Sequence, residues 1–247
     1  MGLLEIEGLN KAFGSLTVTR NVSLSVPSGR KHVIIGPNGA GKTSLIHQIG
    51  GQLQPDSGRI LIDGAEVGKL GPEGRARLGL ARTFQKNTLF PKLSVHENVR
   101  LGAQARFGSP FDLFRPARRS TELDDRAASL LARFGLDHLA QAPAGSISYG
   151  DQRQLELAVA LSGEPRILLL DEPTSGLSPT ETKALVGVIR SLPDDLAILM
   201  IEHDMEVVFS LADRITVLYY GEVLAEGTPE EVTANARVQE VYLGAGI

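Results

Sequence analysis

Gly36-Pro37-Asn38-Gly39-Ala40-Gly41-Lys42-Thr43 stands between the apolar run Lys31-His32-Val33-Ile34-Ile35 and a segment, Thr43 to Ile49, that starts as a helix. Its pattern is G-x-x-x-x-G-K-[ST], the spacing of a phosphate clamp. Small residues let several backbone N–H groups turn inward around a β-phosphate, which a chain of bulky side chains cannot do. Lys42 then reaches the β- and γ-oxygens, and the Thr43 hydroxyl, with Ser44 beside it, stands where such a loop meets Mg²⁺. A helix opening at the loop adds its dipole and its unpaired N–H groups.

Outward from the clamp, the composition sets bounds. A chain of 247 residues with 42% hydrophobic and 22% charged residues buries a sizeable core. A formal net charge of −4 argues against binding nucleic acid through a dominant basic surface. There is no cysteine, hence no disulfide and no thiolate chemistry, and a cytosolic site is the default. No apolar run reaches the roughly 18 residues of a membrane span, and Glu5 and Glu7 interrupt any signal peptide. Work at a membrane therefore requires a partner to hold the chain there.

Leu4-Glu5-Ile6-Glu7 alternates and Leu16–Val26 sets Val22, Leu24 and Val26 on one face, so the chain opens with strands. Arg59–Gly64 reads as a strand after the turn at Gln54–Gly58, and Leu80–Phe84 as a further one ending at Gln85. Then the period changes. Ser94-Val95-His96-Glu97 is a capping box opening a helix through about Gln104. Phe107–Pro116 reads as a packed loop. From Glu122, Leu123, Ala127, Leu130, Leu131 and Phe134 share a helical face that Gly135 ends, and another helix begins near Gly150. Strands return at Arg166–Leu170, Leu196–Ile201 and Arg214–Tyr219, with helix starts at Ser178-Pro179-Thr180-Glu181 and Thr228-Pro229-Glu230-Glu231. The expected organisation is one α/β domain. Residues 1–87 and 163–227 form its core, 88–162 a helical subdomain and 228–247 a helical tail.

Ile167–Leu170 delivers Asp171-Glu172 to a strand's C-terminal edge, where doubly wound sheets bind ligands. Asp171 is placed to hold Mg²⁺ and Glu172 to polarise an attacking water as general base. With both halves of a nucleoside triphosphate site present, the chain resembles, nearly end to end, the ABC-type ATPases, the nucleotide-binding subunits of transporters. The resemblance implies a P-loop NTPase (RecA-like) core with an N-terminal antiparallel β region and a helical insert carrying the family signature. That signature, Leu-Ser-Gly-Gly-Gln, is matched by Ile147-Ser148-Tyr149-Gly150-Asp151. Asp151 stands where Gln is usual, and Tyr149 marks a subgroup. Ser148, the Gly150 N–H and a helix N-terminus form a second anion site. The resemblance implies that this site closes over the γ-phosphate bound by a second subunit, giving a head-to-tail dimer with two ATP molecules between. It further implies that Gln85 links Mg²⁺ and water to the helical insert, and that His203 contacts the γ-phosphate. Ser175–Ser178 then senses the other subunit's site and also caps a helix. Phe13 either stacks on adenine or is a core residue.

The stretches Ser148-Tyr149-Gly150, Gln152–Ala158, Ile201–Met205 and Ala225–Val232 look like the importer ATPases for branched-chain amino acids. The Pro116–Arg119 neighbourhood and the ending Val241–Gly244 fit the longer of that system's two ATPase subunits. Implied with it are ATP and Mg²⁺, transmembrane permease subunits, a second ATPase subunit of the same or a sister chain, and indirectly a solute-binding protein. The implied place is the cytoplasmic face of the inner membrane. Related importers take other small polar solutes, lipopolysaccharide-export cassettes are near relatives, and soluble ABC-type switches form a different class. A small-molecule kinase would leave Ser148-Tyr149-Gly150 and His203 unexplained.

Overall fold

The computed structural model describes residues 2–83, 89–107 and 116–244, with the side chains of 116–120 and 242–244 left aside. Its first strands, β1 (Leu4–Phe13) and β2 (Leu16–Val26), pair antiparallel with Leu4 opposite Val26. β1 also pairs antiparallel with β4 (Ser57–Ile62), and β4 with the short β5 (Ala65–Glu66), giving the order β2-β1-β4-β5. Alternation along β1 and β2 buries Leu4, Ile6, Val22, Leu24 and Val26 on one face.

A second sheet takes its centre from β3 (Lys31–Ile35), which lies parallel between β8 (Ala197–Ile201) and β9 (Arg214–Tyr219). β7 (Ile167–Asp171) is parallel to β8, and β10 (Glu222–Gly227) is antiparallel to β9. The short β6 (Leu80–Arg82) lies at the edge beyond β7. Every residue of β7 and β8 is buried, the pattern of strands covered on both faces. Around the sheets lie α1 (Lys42–Gly50), α2 (Pro72–Arg77), α7 (Met205–Leu211), α8 (Pro229–Thr233) and α9 (Ala236–Gly244). Leu45, Ile46 and Ile49 of α1 join Ile34, Leu169, Leu199 and Ile201 in one core. Burying each such side chain contributes about 1.5–3 kcal/mol.

The chain divides into two compact units. Apart from Ala81 and Arg82 of β6, the sheets and helices just named belong to the first, which comprises the chain through Leu80, Arg166–Pro173 and the chain from Leu192. The second runs Ala81–Pro165 and takes in Thr174–Ser191. It holds α3 (Val95–Phe107), α4 (Pro116–Arg133), α5 (Tyr149–Leu161) and α6 (Pro179–Arg190). The capping boxes expected at Ser94, Ser178 and Thr228 are formed. α3 runs three residues past Gln104, and α4 begins at Pro116 rather than near Glu122, because Pro is at home in a first helical turn. Leu123, Ala127, Leu131 and Phe134 are buried and Leu130 half-buried, and Gly135 ends the segment at φ 68°. Residues 108–115, most of the expected packed loop, lie outside those described. Among the described residues, no helix is long and apolar enough to cross a membrane.

Candidate active site

Register brings the expected groups of the first unit to one edge. Asp171 pairs with Ile201, and Ile201 with Ile34, so three parallel strands end in one row. Beyond that row the chain makes the loop Gly36–Gly41, the turn at Glu172 and the segment Glu202-His203.

Two of the loop's glycines are required by contact as well as by conformation. Gly36 has φ 153° and a Cβ there would lie 2.2 Å from the Leu218 carbonyl oxygen. Gly41, the N-cap of α1, has φ 99° and its Cβ would lie 2.1 Å from the Val18 oxygen. No side chain caps α1, so the first-turn N–H groups at Lys42, Thr43 and Ser44 face the hollow of the loop made by Pro37, Asn38, Gly39 and Ala40. Lys42 is buried and its Nζ donates to the carbonyls of Gly36 at 2.6 Å and Pro37 at 3.0 Å. Burial pushes its pKa down, and the charges of Glu172 and Asp171 partly offset this. An ammonium held, among the described residues, by neutral carbonyls, with carboxylates nearby, is poised for an anion.

Asp171 is buried, whereas Glu172 is half-buried and adopts φ 48°. That left-handed backbone costs of order 1–3 kcal/mol for a non-glycine residue. Its N–H donates to the Ile201 carbonyl at 3.0 Å, which fixes the turn against β8. Oxygen donors of the kind Mg²⁺ takes are present in the Asp171 carboxylate and the exposed Thr43 hydroxyl. His203 is 61% exposed, and its Nδ1 lies 3.9 Å from Oε2 of Glu202. Glu202, which the sequence did not single out, is fully buried and accepts the N–H groups of His203 at 3.0 Å and Asp204 at 3.4 Å. The signal was an acid directly after an all-apolar strand. Phe13 is 53% exposed, which removes the core alternative, and its ring carries the Lys11 ammonium 5.6 Å from its centre. A cavity of about 610 Å³ between Pro37–Ala40, Tyr219, Tyr220 and the Arg237–Val241 turn of α9 has no counterpart in the sequence reading.

In the second unit, Ser148 caps α5: its Oγ accepts the Asp151 N–H at 3.1 Å and donates to Oδ2 of Asp151 at 2.7 Å. The acid at this position is therefore engaged with the capping serine. Gly150 is buried, and a Cβ on it would lie 2.6 Å from Oε1 of Glu181, the residue that closes the capping box of α6. Tyr149 is 45% exposed and its hydroxyl donates to the Ser175 carbonyl at 3.4 Å. Gln85 lies outside the described residues.

Known proteins resemble this chain along nearly its whole length. Residues 19–175 match the family model described as ABC transporter, and residues 222–247 match that of the branched-chain amino acid ATP-binding cassette transporter. The high-affinity branched-chain amino acid transport ATP-binding protein BraF of Pseudomonas aeruginosa is 40% identical, over 98% of this chain and 98% of its own. A solved structure of the ADP conformation of MJ1267, an ATP-binding cassette of an ABC transporter, superposes with TM-score 0.86 at 31% identity, covering 99% of each chain. The dimeric post-hydrolysis cassette MJ0796, bound to ADP and Pi, gives 0.77 at 26% identity over 91% of this chain and 98% of that one.

Proposed function

This chain belongs to the ABC transporter ATP-binding family, and we propose that within it the protein energises import of branched-chain amino acids or a related small polar solute. ATP hydrolysis is the activity of the family. The observation that carries the solute is the branched-chain tail match at 222–247, joined to 40% identity with an importer ATPase along nearly the whole chain. In this reading the chain supplies the hydrolysis and the membrane subunits hold the solute and set transport specificity. The partners in this reading are transmembrane permease subunits, a second ATPase subunit of the same or a sister chain and, through the permease, a solute-binding protein. The protein then sits on the cytoplasmic face of the inner membrane.

The residues have these roles in the reading. Phe13 stacks on adenine, and Gly36 to Ser44, Pro37 excepted, wrap the phosphates with their N–H groups. Lys42 exchanges its loop carbonyls for the β- and γ-oxygens. Glu172 takes the proton of the water that attacks the γ-phosphorus as the bond to the leaving ADP oxygen breaks, and His203 steadies the γ-phosphate. Thr43, Asp171 and Gln85 would hold Mg²⁺, which when bound supplies charge to the phosphate oxygens. Ser148, Tyr149, Gly150 and Asp151 close over the triphosphate of the second subunit, so that hydrolysis waits on closure.

Glu172→Gln tests the roles. It should retain ATP binding, lose nearly all hydrolysis and accumulate as an ATP-dependent dimer in light scattering, because the base is lost while the phosphate grip remains. Turnover like that of the unaltered protein would remove Glu172 from its role.

A further inference from the structure

We infer that Tyr149 is a positioning residue through which the two nucleotide sites of the dimer communicate, an inference that rests on the head-to-tail reading above. Tyr149 is the first residue of α5, directly after Ser148. Its ring is held from two sides. The Arg153 guanidinium, one turn on, lies 5.2 Å from the ring centre. Arg153 is itself buried and ion-paired at 2.9 Å with buried Glu156, so this support is fixed in the helix packing. On the other side is the loop after Thr174. The Tyr149 hydroxyl donates to the Ser175 carbonyl at 3.4 Å, and the ring edge lies beside Gly176, whose φ is 80°. A Cβ at Gly176 would stand 3.4 Å from Cε1 of the ring.

The next residue repeats the link. Gly150 lies against Glu181, whose carboxylate accepts the Ser178 N–H at 2.8 Å and so fixes the start of α6. Two successive residues of Ser148–Asp151 thus bear on the segment 175–181 of the same chain. That segment begins three residues after Glu172. In the dimer, one end of this path faces the partner's γ-phosphate and the other leads by covalent chain into the subunit's own carboxylate turn. An aromatic ring has two side-chain torsions and transmits displacement stiffly where a flexible residue would absorb it. The more usual glycine at this position has no side chain with which to reach Ser175 or Gly176.

The test is ATPase rate against ATP concentration for the full chain and for Tyr149→Phe, Tyr149→Leu and Tyr149→Gly. The unaltered protein should show a Hill coefficient approaching about 2, the limit for two coupled sites. Tyr149→Phe keeps the stacked ring and its packing on Gly176, and should stay close to that value. Tyr149→Leu and Tyr149→Gly should fall to about 1, with the melting curve retained. A purely structural role would lower the melting temperature or the maximal rate without moving the Hill coefficient, and that outcome, or cooperativity surviving in Tyr149→Gly, overturns the inference. Light scattering of Glu172→Gln with ATP separates the two readings. Dimerisation of that variant alongside a Hill coefficient of about 1 in the unaltered protein leaves the dimer and removes the coupling. A monomer throughout removes both.

Discussion

Arg75→Met should destabilise the fold by about 3 kcal/mol, and the structure shows where that figure comes from. The guanidinium is fully buried at the far end of α1. Its Nε donates to the Leu70 carbonyl at 2.9 Å, Nη1 to those of Gln48 and Ile49 at 2.5 and 2.6 Å, and Nη2 to that of Gly68 at 3.3 Å. It therefore serves the last carbonyls of the helix whose first turn opens at the phosphate loop, where a cation also opposes the helix dipole. Burial pushes its pKa down to about 10, so it stays charged near neutrality at a desolvation cost. Removing it leaves the Gln48 carbonyl the Gly51 N–H at 3.3 Å, while those of Ile49, Leu70 and Gly68 lose this donor. Each buried carbonyl left unpaired costs about 1–3 kcal/mol. Relief of the buried charge returns part of that sum, hence the net of about 3 kcal/mol. For a chain of this size the melting temperature falls about 2–4 °C per kcal/mol, or roughly 6–12 °C in all. Circular dichroism during heating reads it directly. A shift under about 2 °C would refute the reasoning, since it would mean the carbonyls find other donors at no cost.

The site and the caps give further expectations. Lys42→Ala removes a charged donor from the phosphates, so nucleotide affinity should drop roughly 10- to 100-fold in a fluorescent-nucleotide titration. Unchanged affinity would count against the clamp. Phe13→Ala should raise the dissociation constant for ATP about tenfold through lost stacking and leave the melting temperature alone, because the ring is exposed. Equal affinity would assign the adenine elsewhere. Glu97 and Glu181 have pKa values held low, the former chiefly by the Ser94 N–H and the latter by the Ser178 hydroxyl. A carboxylate depressed in the folded state contributes stability above the ordinary value of 4.5, which is lost as pH falls through the lower folded value. Acid titration followed by far-ultraviolet circular dichroism should therefore show helix loss below pH 4.5 that Glu97→Gln/Glu181→Gln flattens. An unaltered profile in that variant would remove the caps as the cause.

What the sequence made legible is whatever a contiguous pattern encodes. Gly36–Thr43 announces its loop because Gly36 and Gly41 are each demanded by a carbonyl oxygen at 2.2 and 2.1 Å and Gly39 by its φ of 79°, and Ile167–Leu170 announces a covered strand by lacking any polar residue. Ser94, Ser178 and Thr228 each carry their capping partner three residues on, and the structure forms all three boxes. The missed features depend on contacts distant in sequence. Arg75 sits in a polar stretch beside Gly74 and reads as a surface residue, yet it closes a helix 26 residues upstream. Nothing near Tyr149 points to Ser175. α7 carries a local signal of its own: Asp204 accepts the N–H groups of Glu206 and Val207, and Val207, Val208 and Leu211 repeat at helical spacing. β10 has half-buried residues along most of its length, so neither period stands out.

The most direct test of the central claim is to tag the chain in its own cells, solubilise the membranes gently and identify by mass spectrometry what co-purifies. Two polytopic membrane subunits with a second ATPase subunit are the predicted result. Recovery from the soluble fraction alone, with ribosomes or DNA-repair factors, would contradict it.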